Sequence, residues 1–246
     1  MSSPEIYIGV LIILFCSTFV RSSLGFGDAL IAMPLMTMLV GLKTATPIVA
    51  LIAVTIATTI LARNWRIADL RAALGLIIAS CLGIPIGLFL LKSINEDYMK
   101  SLLGVILILY GIYSLAKPRL KQISDHLGLT FLFGFVAGVL GGAYNANGPS
   151  VVIYGTLRKW APSNFRATLQ GYFLPTGFFI AVGHGLSGLW NSQVFTYYAV
   201  ALPAVFLAIF LGGKGHKSLS HTHFDMYVHI ALIAMGLMLI IRTLIS

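Results

Sequence analysis

Residues 141–155 read GGAYNANGPSVVIYG. An apolar run arriving over 126–143 stops there at two glycines, passes two asparagines and restarts at Pro149 for a short segment ending at 157. Those nine helical residues cover about 14 Å of a hydrocarbon core roughly 30 Å thick, so the segment is expected to be a half-helix or re-entrant leg. Irregular backbone at such depth is tolerated only where protein or a water-filled cavity satisfies its N–H and C=O groups. Gly141, Gly142, Asn145, Asn147 and Gly148 are therefore expected to line an internal site. Pro149 suits the first turn of the helix it opens, where its missing N–H costs nothing. A second break, SSLGFGDALIAMPL, lies at residues 22–35. Breaks at corresponding places in two halves of a membrane chain point to a substrate site near the midplane.

The composition sets the solvent in which this pattern is read. With 58% hydrophobic and 9% charged residues, and a mean hydropathy of +0.94, the chain departs far from soluble composition, where about a quarter of residues are charged. Its 246 residues have room for about eight to ten spans. The net charge of +9 comes from basic residues in loops between apolar runs, the placement of the positive-inside rule, and does not indicate nucleic-acid binding. Cys16 and Cys81 lie inside apolar segments and behave as small hydrophobes. No Lys or Arg precedes the run at 4–20 and no small-x-small site ends it, so it is expected to be a retained first helix rather than a signal peptide.

Apolar runs bounded by charge or by Gly/Pro clusters predict helical segments at 4–20, 28–42, 44–62, 71–91 and 98–116, then at 126–143, 149–157, 166–187, 193–213 and 223–245. The fold expected is an all-α polytopic membrane protein with two repeats, residues 1–118 and 119–246, of about five segments each. An offset of 125 aligns Trp65 with Trp190, Gly87 with Gly212, Lys92 with Lys217, Ser93 with Ser218 and Gly111 with Gly236. If each broken segment returns as a hairpin, one side collects twelve of the sixteen basic residues: Arg21, Arg63, Arg66, Arg71, Lys117, Arg119, Lys121, Arg158, Lys159, Arg166, Lys214 and Lys217. The other side keeps Lys43, Lys92, Lys100 and Arg242. That asymmetry predicts both termini outside. An odd number of segments per half makes the repeats inverted, with the broken helices meeting near the midplane. The Trp loops agree: Arg63, Arg66 and Arg71 surround Trp65, and Gly188, Asn191 and Thr196 occupy the matching positions around Trp190.

A helix start offers free amides and the positive end of a dipole, an anion seat that needs no charged side chain. Gly25, Gly27 and Asp28 repeat in the first half the plan of the second. GxxxG spacing at Gly83/Gly87 and Gly134/Gly138 is read instead as helix packing. Asp28 is the acidic residue that the segment map puts well inside a membrane region, which makes it either a functional group or the N-cap of a helix over 29–42. A carboxylate there would repel an anion, so a functional Asp28 should be protonated when substrate is bound. Arg21 either offsets Asp28, pairs with the anion, or snorkels to the interface. Arg166 reads as a positive-inside residue or a site residue, and Gln170 and Thr176 as substrate donors or interhelical hydrogen bonders. Pro175 and Pro203 are expected to kink their helices. His216, His221 and His223 cluster beside Lys214 and Lys217 without the fixed spacing of a metal site. No GxSxG, HExxH or GxxxxGK motif is present, which leaves no enzymatic constellation, cofactor site or metal site to argue for.

The pattern GFGDALIAMPL, followed by GLKTATPIVALIA, a short basic Trp loop and GIPIG, resembles the first half of the TauE/SafE sulfite exporter family, the TSUP transporters. GGAYNANGPSVVIYGTLRKWAP with FRATLQGYFLPT resembles the second half of its NGP-motif members. The resemblance implies an inner-membrane carrier that moves small sulfur-containing or organic anions, sulfite and sulfonates among them, outward. The expected substrate-binding set is Arg21, Ser23, Gly25, Gly27, Tyr144, Asn145, Asn147, Gly148, Arg166 and Gln170, with Asp28 as the proton-coupling candidate. A passive anion channel and a non-transporting scaffold subunit are the alternatives.

Overall fold

The computed structural model describes residues 4–116, 126–215 and 221–245. Ten α-helices make up this part of the chain, joined by short turns, with no strand among the described residues. The first five are α1 (Pro4–Leu24), α2 (Asp28–Val40), α3 (Leu42–Asn64), α4 (Leu70–Ser93) and α5 (Glu96–Ala116). The second five are α6 (Leu127–Tyr144), α7 (Gly148–Leu157), α8 (Pro162–Leu186), α9 (Ser192–Gly215) and α10 (His221–Ile245). Lys117, Arg119, Lys121, His216 and Lys217 lie outside the described residues, as does the proposed boundary between the halves.

Seven helices, α1, α3, α4, α5, α6, α9 and α10, are long and apolar enough to cross a membrane. Their outward residues are large and apolar: Ile78, Leu82 and Phe89 of α4 and Leu237, Met238 and Ile241 of α10 are all exposed. The eighth long helix, α8, is more polar for a structural reason, since Thr168, Gln170, Thr176 and His184 are all buried inside the bundle. The remaining two, α2 and α7, have 13 and 10 residues, about 20 and 15 Å, and stop short of a full crossing.

Backbone chemistry sets the breaks. Gly25 and Gly27 take φ of +96° and +100°, a left-handed conformation that an L side chain resists, and so divide α1 from α2. Asn145, with φ +57°, ends α6. Its N–H and that of Ala146 donate back to the carbonyls of Gly141 and Leu140, closing the helix in a Schellman-like turn.

The most extensive helix pairs are α4 with α6, α5 with α10, α1 with α9 and α3 with α8. Exchanging each helix with the one five places on carries α4–α6 into α9–α1 and leaves α5–α10 and α3–α8 as they are. Glycines make the close approaches. A Cβ at Gly83 would lie 2.3 Å from the Phe135 carbonyl oxygen and one at Gly138 would lie 2.2 Å from that of Ser80, so the α4–α6 backbones touch. On the α5–α10 seam, Gly104 and Gly236 face each other's carbonyls in the same way.

Candidate functional site

The two breaks meet. A Cβ built on Gly148, the first residue of α7, would stand 3.8 Å from Phe26 in the turn between α1 and α2. Between them lies a cavity reached by the first turns of both short helices: Gly27, Asp28 and Ala29 from one, Asn147, Gly148 and Pro149 from the other. Neither helix carries a side-chain cap, and the first residues of both line this space. The free space is small, with room for about a single water.

One cation projects into the cavity. Arg21 is 2% exposed, in the last turn of α1 rather than in a loop, which removes it from the basic loop residues that sequence alone assigned to it. Its Nη1 donates to Asp28 Oδ2 at 2.8 Å, while Nη2 and Nε both reach Gln170 Oε1, at 2.9 and 3.3 Å. The guanidinium also lies 4.7 Å from the centroid of the Phe173 ring. Gln170 completes the arrangement by donating from Nε2 to the Gly25 carbonyl at 2.6 Å, which ties α8 to the first break. Asp28 is the first residue of α2, Gly27 holds the cap position, and the carboxylate faces Arg21. The N-cap reading of Asp28 does not hold. The snorkelling reading of Arg21 fails likewise, because the side chain turns inward.

The other expected residues divide into two groups. Asn147 lines the cavity and its amide lies 3.5 Å from the Thr176 hydroxyl. Asn145 also lines it, with its side-chain N–H₂ committed to the Thr46 carbonyl at 2.8 Å. Gly27 and Gly148 form part of the wall. Gly25 and Arg166 stand just behind: Arg166 donates to the Ser22 carbonyl, and its Cγ packs where a Gly25 side chain would be. Ser23 turns the other way, donating to the carbonyls of Phe19 and, across the helix seam, Gly212. Tyr144 is also outside the cavity lining, because its hydroxyl donates to the Met99 carbonyl at 3.0 Å and its ring fills the main core. Phe173, Gly177 and Ile180 of α8, which sequence reasoning did not select, belong to the wall. With Arg166 and Gln170 they follow a 4-3-4-3 spacing along one helix face, a signal present in FRATLQGYFLPTGFFI.

A buried arginine and two helix starts at one cavity describe a binding site. A family model described as sulfite exporter TauE/SafE matches residues 10–239, nearly the whole chain. The chain belongs to the TauE/SafE sulfite exporter family. It is accordingly a multi-pass membrane transporter and not an enzyme. A curated relative within reach of this family is a probable sulfite/organosulfonate exporter TauE from Cupriavidus necator, 25% identical over 215 residues, covering 84% of this chain and 83% of that one. No solved structure matches the chain. The matched region contains both breaks and every cavity residue named above.

Proposed function

We propose that the chain is a secondary carrier that exports small sulfur-containing or organic anions, such as sulfite or sulfonates, through the inner membrane. The observation that carries this reading is the convergence of two helix N-termini and the buried Arg21 on one cavity. A small oxyanion there would take hydrogen bonds from first-turn amides and charge from the guanidinium. The printed name of the relative from Cupriavidus necator supports this substrate class.

Alternating access follows from two inverted halves, 1–118 and 119–246, rocking about the site. The exchange symmetry of the helix pairs supports it. So do the aligned glycines, since Gly87 packs α4 on α6 as Gly212 packs α9 on α1, and Gly111 and Gly236 both pack α5 on α10. With Arg21 and Arg166 withdrawn from the loops, ten basic residues still fall on one side against four on the other, which supports an orientation with both termini outside. An inside-negative potential favours outward anion movement by about 2.3 kcal/mol per charge per 100 mV, so export requires no coupling cation. Import would require one.

The test is flux. Liposomes containing this protein alone, loaded with radiolabelled sulfite, are expected to show saturable efflux accelerated by external sulfite; unsaturable flux would indicate a channel and no flux a scaffold. A thermal-shift screen of sulfite, sulfate, thiosulfate, sulfoacetate and acetate ranks the substrates, because a ligand present at 100 times its Kd stabilises by about 2.7 kcal/mol. Gly148 gives a graded control. A Cβ there meets only ordinary van der Waals neighbours at 3.8 Å, so Gly148→Ala is expected to fold and transport. Gly148→Leu places three more carbons toward a cavity the size of a water and is expected to cut efflux at least tenfold, with Gly148→Ala as the folded control.

A further inference from the structure

The carrier reading leaves Asp28 unexplained, because a carboxylate in an anion site works against the substrate. We infer that Asp28 is an internal stand-in for the transported anion: it neutralises Arg21 in the empty carrier and is displaced when substrate binds. This rests on the carrier reading above.

The geometry carries the assignment. Asp28 Oδ2 occupies the Nη1 position of Arg21 at 2.8 Å, and the other guanidinium edge is held by Gln170 Oε1, a neutral acceptor that supplies no charge. Arg21 and Asp28 are the charged side chains of the cavity wall, and both are buried. No hydroxyl, amide or second acid takes the carboxylate's place on Nη1 among the described residues. A sulfite or sulfonate oxygen has the same chemistry as the carboxylate oxygen it would replace, a charged acceptor for a guanidinium N–H. The displaced carboxylate also has somewhere to go. Asp28 stands in the first turn of α2, which no side chain caps, and a carboxylate is favoured beside those free amides. The site therefore has two arrangements. When empty, Asp28 rests on Arg21 and the charged pair is neutral; when loaded, the anion rests on Arg21 and the start of α7, and Asp28 on the start of its own helix.

The consequence concerns the return step. A carrier that has released its anion must close around Arg21, and a buried guanidinium without a counter-ion is strongly disfavoured. Asp28 removes that barrier. Exchange, in which one anion leaves and another enters on the same face, never passes through the empty closed state and does not need Asp28.

The experiment measures both modes in proteoliposomes of the full-length protein loaded with radiolabelled sulfite: net efflux into sulfite-free buffer and exchange against unlabelled external sulfite. In the wild type both are expected. In Asp28→Asn, net efflux is expected to fall by more than about a hundredfold, the factor that breaking a buried ion pair implies, and exchange by less than about tenfold. Residual exchange itself reports a folded protein, and Asp28→Ser replaces the Asn variant should that one fail to fold. Asp28→Glu, which keeps a carboxylate, is expected to retain a net-to-exchange ratio within about threefold of the wild type. Parallel loss of both modes, as a proton-carrying Asp28 or a purely structural one would give, overturns the assignment, as does net efflux equal to wild type in both neutral variants. A wild type that shows neither saturable efflux nor exchange overturns the carrier reading itself.

Discussion

Arg21→Ala is expected to abolish anion transport, by a hundredfold or more, and to destabilise the protein by about 3–5 kcal/mol. Two effects combine. The substitution removes the one cation in the cavity wall, and it leaves Asp28, 7% exposed, as an uncompensated buried charge. Gln170 loses both donors to its Oε1 and with them its fixed hold on the Gly25 carbonyl. Stability and function separate in a second variant. Arg21→Met combined with Asp28→Leu replaces the pair by apolar groups of similar volume and is expected to recover most of the melting temperature, because well-packed apolar replacements of buried ion pairs are often neutral or stabilising. It is expected to recover no transport. Arg21→Lys keeps the charge but loses the fork that reaches Asp28 and Gln170 together, and is expected to retain only a few per cent of the flux. Thermal denaturation and liposome efflux, measured on the same preparations, decide each case.

Gly87→Leu is expected to cost about 4 kcal/mol or more, so that little folded protein is recovered. A Cβ at residue 87 would lie 2.1 Å from the Val139 carbonyl oxygen and 2.8 Å from the Ala143 amide, both backbone atoms of α6, and neither can give way without separating the helices. The contact reaches Ala143, two residues before Asn145. Gly213, where a Cβ meets nothing within 4 Å, is the control: Gly213→Leu is expected to leave the melting temperature unchanged within about 1 kcal/mol. Size-exclusion profiles and melting curves of the two variants provide the comparison.

Segment boundaries were legible because apolar runs, glycines and prolines mark them directly. The run at 149–157 emerges as α7, Gly148–Leu157, and that at 71–91 as α4, Leu70–Ser93. Two helices exceed their expected bounds by a turn: α8 opens at Pro162 instead of 166, and α1 runs past 20. A charge at residue 21 reads as the end of a span, yet α1 continues to Leu24, because Arg21 finds Asp28 and Gln170 inside the bundle. That partner lies 149 residues away and has no local trace in the sequence. The expected site joined Ser23 to Arg21, although residues two apart on a helix point about 200° apart, so that only one of them can face the cavity. Tyr144 was read by its nearness to the break. Its direction is set by packing on α5, through the Met99 carbonyl, and that contact is tertiary. The wall contributed by Phe173 and Gly177 was, by contrast, open to a periodicity reading from Arg166 and Gln170 onward.

The central claim is that a small oxyanion sits between the first turns of α2 and α7 on Arg21. Selenate and selenite are close analogues of sulfate and sulfite whose selenium scatters anomalously. An anomalous difference map from crystals of the wild-type protein soaked in either anion tests the claim most directly. One selenium peak per chain within hydrogen-bond reach of the Arg21 guanidinium, between Asp28 and Gly148, is the predicted result. Selenium found only at the basic loops, with none between the two short helices, would contradict it.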